Sequence, residues 1–211
     1  APARGRQPVA GHGAAELPSV TVTGYNLELR DKDGFIGDRA SKRAFQAKLD
    51  EWRDRLGKLD ADPFGDVEIG KKQLDKALMG EDTELAAVVH GAVEDFAQEL
   101  AGVIRRFRRT KGWGGVERIA VGGGFRNSRI GELAIARAGI LLKADGIDVA
   151  MRPIRHHPDE AGLIGAAHLM PAWTLSGHDG LLAIDIGGTN IRAGVVALHL
   201  KKAADLSKAE V

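Results

Sequence analysis

In the second half of the chain, short apolar runs alternate with helical segments, and glycine or proline stands at most of the changes. Strand patterns are found at 118–121 and 147–154, helical patterns at 127–144 and 158–171, and a strand–turn–strand pattern at 181–198. Strands that alternate with helices are typical of α/β proteins, because helices cover sheet faces that would otherwise be exposed. We therefore expect an α/β fold.

Upstream of these strands, the sequence predicts two amphipathic helices. Phe45, Leu49, Trp52 and Leu56 recur with helical spacing and predict a helix over about 38–56. A second, longer apolar stripe consists of Leu85, Val88, Val89, Ala92, Val93, Phe96, Leu100, Val103, Ile104 and Phe107. The basic run that follows it, 105–111, is interpreted as a solvated helix end, where cations are favourable, rather than as a nucleic-acid site.

Composition narrows the function classes. The 211 residues include 30 Lys and Arg against 29 Asp and Glu, a balance that argues against a general binder of nucleic acids or membrane surfaces. Cysteine is absent, which excludes disulfides, thiolate catalysis and cysteine-based metal sites. No apolar run approaches the length of about 18 residues that spans a membrane, and no secretory signal is visible. We expect a cytoplasmic protein.

The N-terminal part carries weaker signals. Residues 1–18 hold three of the seven prolines and are predicted to be a disordered tail. The alternation over 20–29, around Gly24, predicts a bulged strand or a hairpin. Residues 31–34 predict a turn that lacks the spacing of a calcium loop. The adjacent pair His156 and His157 is interpreted as part of a loop, since neighbouring residues of an extended segment point apart and chelate poorly.

The turn within 181–198 is the sharpest chemical signal. Gly187 and Gly188 let backbone N–H groups approach an anion, and Thr189 and Asn190 add side-chain donors. A carboxylate beside a phosphate repels it unless a divalent cation lies between them, so Asp185 is placed to hold Mg²⁺, through water. The alternative is a simple Gly-Gly hairpin turn in which Asp185 is a solvated turn residue.

A second candidate site lies between a predicted strand and a predicted helix. Gly122, Gly123 and Gly124 precede a helix that Asn127 or Ser128 can cap, an arrangement that can bind an anion or a nucleotide. The third glycine of a dinucleotide-binding motif is absent, and no P-loop is found in the chain. Glycine is also common in strand-to-helix turns for purely conformational reasons.

Taken together, these motifs resemble a known family. Residues 185–194 resemble the phosphate-1 hairpin of the ROK family (repressor, ORF, kinase), the glucokinase-like sugar kinases of the actin/hexokinase/heat-shock ATPase superfamily. Residues 119–124 are similar to its adenosine motif, and residues 80–82 with the long helix are similar to the segment before that motif. Residues 159–167 are similar to its closing hinge helix. The resemblance covers roughly residues 74–200.

The resemblance implies a fold and a function. The fold is an actin-like ATPase (ribonuclease H-like) fold, with a nucleotide-side lobe over 19–180 and the first hairpin of a second lobe over 181–211. The function is ATP-dependent phosphorylation of a hexose-type sugar, with ATP and Mg²⁺ as cofactors. The expected partner is a small sugar substrate, and the formation of a homodimer is left open. Asp185 would organise Mg²⁺, and the groups near the nucleotide would be Gly187, Gly188, Thr189, Asn190, Gly122, Gly123, Gly124, Arg126 and Ser128; Gly162 and Gly165 would let hinge helices cross closely.

The chain departs from the family pattern in three respects. Its phosphate-1 hairpin comes last rather than first, which suggests a circular permutation with the chain continuing past Val211. The phosphate-2 motif and the Asn-Asp pair that supplies the catalytic base are absent, so the base is expected outside these residues. The zinc site of many members needs three cysteines, so no zinc is expected.

Two other functions remain open. One is a sugar-responsive transcriptional regulator of the same family, which would need an N-terminal helix-turn-helix. Residues 1–18 cannot form one, and residues 38–56 offer a single amphipathic helix. The other is a non-catalytic nucleotide-binding module of the actin type.

Overall fold

The computed structural model describes residues 10–12, 20–22, 29–65, 69–186 and 191–211. The α-helices are α1 (Lys42–Gly57), α2 (Lys71–Met79), α3 (Thr83–Arg108), α4 (Arg129–Ala144), α5 (Pro158–Leu169) and α6 (Ala172–Leu175). The strands are β1 (Ala10–His12), β2 (Val20–Val22), β3 (Arg30–Asp31), β4 (Gly34–Phe35), β5 (Arg118–Val121), β6 (Ala150–Pro153), β7 (Gly180–Ile186) and β8 (Ile191–Ala197). The fold is mixed α/β, as predicted at the level of class.

The chain forms two compact units. One comprises residues 28–153, and the other combines residues 1–27 with 154–211. The boundary that the family resemblance implies, at residue 180, concerns the lobes of a larger fold and stays a prediction.

Helix α3 is the centre of the larger unit. It begins after Asp82, whose side chain accepts from the backbone N–H groups of Glu84 and Leu85. Its apolar stripe is buried against α1, α2 and α4, and Val89, Ala92, Ala97 and Ala101 are fully buried. The long helix predicted from the apolar stripe is confirmed.

Helices α1 and α2 show where the sequence pattern was less informative. Helix α1 begins at Lys42, later than predicted, because residues 36–40 form a 3₁₀ helix and Ser41 caps α1 by accepting from the N–H of Ala44. The turn predicted over 31–34 is confirmed between β3 and β4. Helix α2 was not predicted, since its nine residues bury only Leu74 and Ala77 and carry too short a stripe.

Strands β5 and β6 pair in parallel and are connected through α4. The register places Arg118 opposite Ala150 and Val121 opposite Pro153. A strand, a helix and a second parallel strand form a βαβ unit, which confirms the predicted alternation. The second strand is shorter than its predicted range of 147–154.

The smaller unit is built on the antiparallel hairpin of β7 and β8. Helix α5 packs on one face of this hairpin and buries Leu163, Ile164 and Ala167 together with Val196 and Leu198. Strands β1 and β2 also pair antiparallel. Strand β1 lies inside the predicted 1–18 tail, whose other residues are outside the described ones, as are the turn residues 187–190 and most of the pattern around Gly24.

The other face of the β7–β8 hairpin is apolar and exposed. Leu182, Ile184 and Ile186 on β7 are 69%, 58% and 77% exposed, and Ile191 and Val195 on β8 are equally uncovered. The apolar sequence of 181–186 is typical of a buried strand, but among the residues described α5 covers only one of its two faces. No helix in the described parts of the chain is long and apolar enough to cross a membrane.

Candidate functional site

Asp185 is the penultimate residue of β7, and its side chain lies on the face that α5 covers. The ladder register places it directly opposite Arg192 on β8, and its side chain is 41% exposed. The residues predicted to contact phosphate, Gly187 to Asn190, follow it after Ile186 but lie outside the described residues. The structure therefore describes the carboxylate end of the predicted site and not its turn.

Helix α5 lies against the Asp185 carboxylate through Gly162. A Cβ added to Gly162 would lie 3.1 Å from Oδ2 of Asp185, and the next nearest atoms also belong to Asp185. The family resemblance implied that Gly162 and Gly165 let two helices cross. In the structure Gly162 accommodates Asp185, and a Cβ at Gly165 would meet no described residue within 4 Å, while the crossing of hinge helices stays a prediction.

Arg192 is shared between two carboxylates. Its Nε and Nη2 atoms each lie 2.9 Å from Oδ1 of Asp159, in the first turn of α5, and its Nη1 lies 3.7 Å from Oδ2 of Asp185. The start of α5 fixes the position of Asp159, because the backbone N–H of Asp159 donates to Nδ1 of His157 at 3.3 Å. The arrangement ties the beginning of α5 to the hairpin through charged groups.

The carboxylate of Asp185 fits the predicted role toward Mg²⁺. Among the described residues its one polar contact is the 3.7 Å ion pair with Arg192, so most of its acceptor capacity is available to water or to a cation. The described residues contain no group of three or more His, Asp or Glu side chains that could enclose a metal. Mg²⁺ commonly uses one or two carboxylates, several waters and substrate phosphates, which one carboxylate such as Asp185 can serve.

The second predicted site, at Gly122 to Gly124, is an open turn. All three glycines are exposed, and a Cβ at Gly123 or Gly124 would meet no described residue within 4 Å. Gly123 has a φ of +84°, a conformation that L side chains rarely adopt. The backbone of this turn is accessible to a flat ligand, as the nucleotide-binding prediction requires. Arg126 ends the short 3₁₀ helix that follows and is half-buried.

The N-terminus of α4, next to this turn, is already occupied by protein groups. Ser128 is buried and its Oγ accepts from the N–H of Gly131 at 3.2 Å, while Oδ1 of Asp75 accepts from the N–H of Ile130 at 3.1 Å. The Asp75 carboxylate would also repel a phosphate. These contacts give Ser128 the role of a helix cap and favour the uncharged adenosine, rather than phosphate, as the group that this turn could contact.

Sequence reasoning missed several residues that shape the two sites. Asp75 and Lys71, whose Nζ donates to the carbonyl of Gly124 at 2.8 Å, both lie on the unpredicted helix α2. The sequence analysis includes Asp159 only within the segment 159–167 that resembles a hinge helix, and Arg192 only within the hairpin motif. The signal for the last pair was weak, because 33 residues separate them in the sequence.

The basic run at the end of α3 is used within the larger unit. Arg108 donates to the backbone carbonyls of Val116 and Gly114, and Arg105 pairs with Asp145. Arg105, Arg106 and Arg109 of this run, together with Arg39, also line a cavity of about 300 Å³ whose wall includes Asp31. The backbone N–H of Asp33 and the guanidinium of Arg39 hold the pKa of Asp31 below its ordinary value. Part of the positive charge here is thus paired within the fold.

Comparison of the chain with protein-family models, curated protein sequences and solved structures gives no significant match. The chain's own residues are therefore the grounds for any functional assignment.

Proposed function

We propose that this protein phosphorylates a hexose-type sugar with ATP, and that the β7–β8 hairpin is its phosphate and magnesium side within an actin-like ATPase fold. The observation that carries this proposal is the placement of Asp185. Its carboxylate lies near the end of a strand, one residue before the segment Gly187-Gly188-Thr189-Asn190, and α5 approaches it through a glycine that leaves room for it.

The chemistry needs positioning and charge neutralisation more than covalent catalysis. Phosphoryl transfer passes through a transition state whose charge is spread over the phosphate oxygens, and Mg²⁺ bound there neutralises part of that charge. Asp185 would hold the hydrated cation, and the glycine backbone and the side chains of Thr189 and Asn190 would orient the phosphates. We assign no residue of this chain to deprotonation of the sugar hydroxyl.

We also propose that the turn at Gly122 to Gly124 contacts adenosine. The exposed backbone of Gly122 to Gly124 supports this role, because residues without a Cβ allow a planar ring to lie close to the main chain. In the first turn of α4, the N–H groups of Ile130 and Gly131 already donate to Asp75 and Ser128. This argues against a phosphate at the same place.

The proposal is tested by assaying the full-length protein for ATP-dependent phosphorylation of a panel of hexoses, with Asp185→Ala beside the wild type. We expect Asp185→Ala to abolish turnover while thermal unfolding stays close to that of the wild type. The control is Asp179→Ala, which removes an exposed carboxylate just before the same strand and should leave turnover unchanged. Wild-type activity in Asp185→Ala would overturn the assignment.

The same samples distinguish the remaining alternatives. Binding of Mg²⁺–ATP without phosphorylation of any hexose would indicate a non-catalytic nucleotide-binding module. Failure to bind ATP, with or without Mg²⁺, would contradict both the kinase and the module.

A further inference from the structure

The Asp185 carboxylate has a competitor for any cation that approaches it. The guanidinium of Arg192 lies across the ladder, and its Nη1 is 3.7 Å from Oδ2 of Asp185. A movement of about 1 Å would bring this pair to hydrogen-bond distance. An arginine bound directly to a carboxylate occupies both oxygens with two parallel N–H groups, and it would displace a hydrated cation from the same group.

Asp159 holds this guanidinium in a different direction. Two donors of Arg192, Nε and Nη2, lie 2.9 Å from the same oxygen of Asp159. This distance is 0.8 Å shorter than the 3.7 Å between Arg192 and Asp185. Asp159 belongs to the first turn of α5, where the helix dipole favours a carboxylate, and its backbone N–H donates to His157. The position of Asp159 is thus set by the helix and not by the hairpin.

We propose that Asp159 is a positioning residue that holds Arg192 away from Asp185 and so keeps the Asp185 carboxylate available to Mg²⁺; this inference rests on the proposed function, which assigns Mg²⁺ to Asp185. Arg192 stays close enough to neutralise part of the negative charge, because both carboxylates lie within 4 Å of its guanidinium. Loss of Asp159 leaves Asp185 as the partner for the guanidinium.

A simpler role for Asp159 would be to add negative charge near the cation. The two roles differ in their dependence on Arg192. If Asp159 acts by charge alone, Asp159→Asn weakens Mg²⁺ binding whether or not residue 192 is an arginine. If Asp159 acts by holding Arg192, the effect of Asp159→Asn disappears when Arg192 is replaced by glutamine.

The experiment measures how much Mg²⁺ strengthens ADP binding to the full-length protein. Isothermal titration calorimetry gives the Kd of ADP in EDTA and in saturating Mg²⁺, and the ratio of the two is the readout. We expect a ratio well above one in the wild type and close to one in Asp185→Asn. Asp159→Asn should lower the ratio about threefold to fivefold, the size of an exposed ion pair.

Three further variants complete the test. Arg192→Gln should keep or raise the wild-type ratio, and the double variant Asp159→Asn/Arg192→Gln should match Arg192→Gln alone. Asp159→Glu, which can still pair with Arg192, should restore most of the ratio. Asp179→Asn makes the same charge change roughly 20 Å away along the strand and should have no effect.

The outcomes separate this inference from the proposed function. If the wild type binds ADP equally well with and without Mg²⁺, or does not bind it, both fail. If the ratio is high in the wild type and lost in Asp185→Asn, but unchanged in Asp159→Asn, only the inference fails. A loss in Asp159→Asn that persists in the double variant also overturns the inference, because charge alone would then account for it.

Discussion

The β5–α4 turn and the β7–β8 hairpin are both marked by glycines in the sequence, yet their polar surroundings differ. Beside the first, Ser128 and Asp75 already accept the backbone N–H groups at the start of α4. In the second, Asp185 has one ion pair, at 3.7 Å, among the described residues. A glycine turn next to a helix N-terminus is therefore not sufficient for an anion site, since the protein's own acceptors can take the amide groups first.

This difference predicts that substitutions near the hairpin change function and leave stability intact, whereas substitutions near the β5–α4 turn change stability. Among substitutions of residues around Asp185, the largest effect is expected from Gly162→Ala. Its new Cβ would lie 3.1 Å from Oδ2 of Asp185 and displace the carboxylate by a few tenths of an ångström. Because misplacement by 1 Å can cost about 100-fold in rate, we expect kcat to fall about tenfold.

Gly165→Ala is the matched control for that substitution. It makes the same change on the same helix, at a position where a Cβ meets no described residue within 4 Å. Alanine favours the helix by up to about 1 kcal/mol relative to glycine, so chemical denaturation should show equal or greater stability, with kcat unchanged. Equal losses of kcat in the two variants would remove Asp185 as the explanation.

The next effect concerns Ser128→Ala at the β5–α4 turn. Loss of a helix-capping hydroxyl costs about 1 kcal/mol, and the N–H of Gly131 would lose its acceptor. Urea unfolding should show this loss, while the Mg²⁺ dependence of ADP binding stays at the wild-type value. If Ser128→Ala lowers that dependence without changing stability, Ser128 contacts phosphate and the contrast between the two turns is wrong.

The smallest effect concerns the ion pair that joins α3 to α4 in the larger unit. The Arg137 guanidinium, which donates to Glu94, holds the pKa of the Glu94 carboxyl below its ordinary value; burial opposes this lowering, and the Gln98 amide adds to it. A lowered pKa in the folded state stabilises the protein above the unfolded-state pKa, and this stabilisation is lost as the pH falls through the folded-state pKa.

We therefore expect the free energy of unfolding of the wild type to exceed that of Glu94→Gln by up to about 1 kcal/mol at neutral pH, the size found for other exposed ion pairs. The difference should shrink as the pH falls below about 4. Unfolding measured in urea at several pH values checks this. A difference that does not depend on pH would mean that Glu94 contributes through packing or hydrogen bonding and not through its charge.

The fold elements with strong periodicity could be predicted from the sequence. The ten-residue stripe of α3 and the strand–helix–strand alternation around α4 are long enough for the apolar spacing to identify them. Helix α2 could not be found, because Leu74 and Ala77 alone make no recognisable stripe. The exposed face of β7 was also missed, since Leu182 and Ile184 are as apolar as residues that are covered.

For the candidate sites, sequence reasoning identified the motif residues but not their neighbours. Asp185 and the glycines at 122–124 are local signals that a short motif displays. The contacts of Asp185 with Gly162 and Arg192, and the contact of Asp75 with α4, join positions far apart in sequence. Such contacts depend on the packing of helices on strands, which periodicity predicts in outline but without the register that brings two given side chains together.

The most direct test of the central claim is a crystal structure of the full-length protein with Mn²⁺ and ADP, in which anomalous scattering locates the metal. We predict a Mn²⁺ peak about 4 Å from the Asp185 carboxylate, one bridging water away and next to the ADP phosphates. A metal bound with the nucleotide phosphates at another place, with Asp185 outside its hydration shell, would contradict the account.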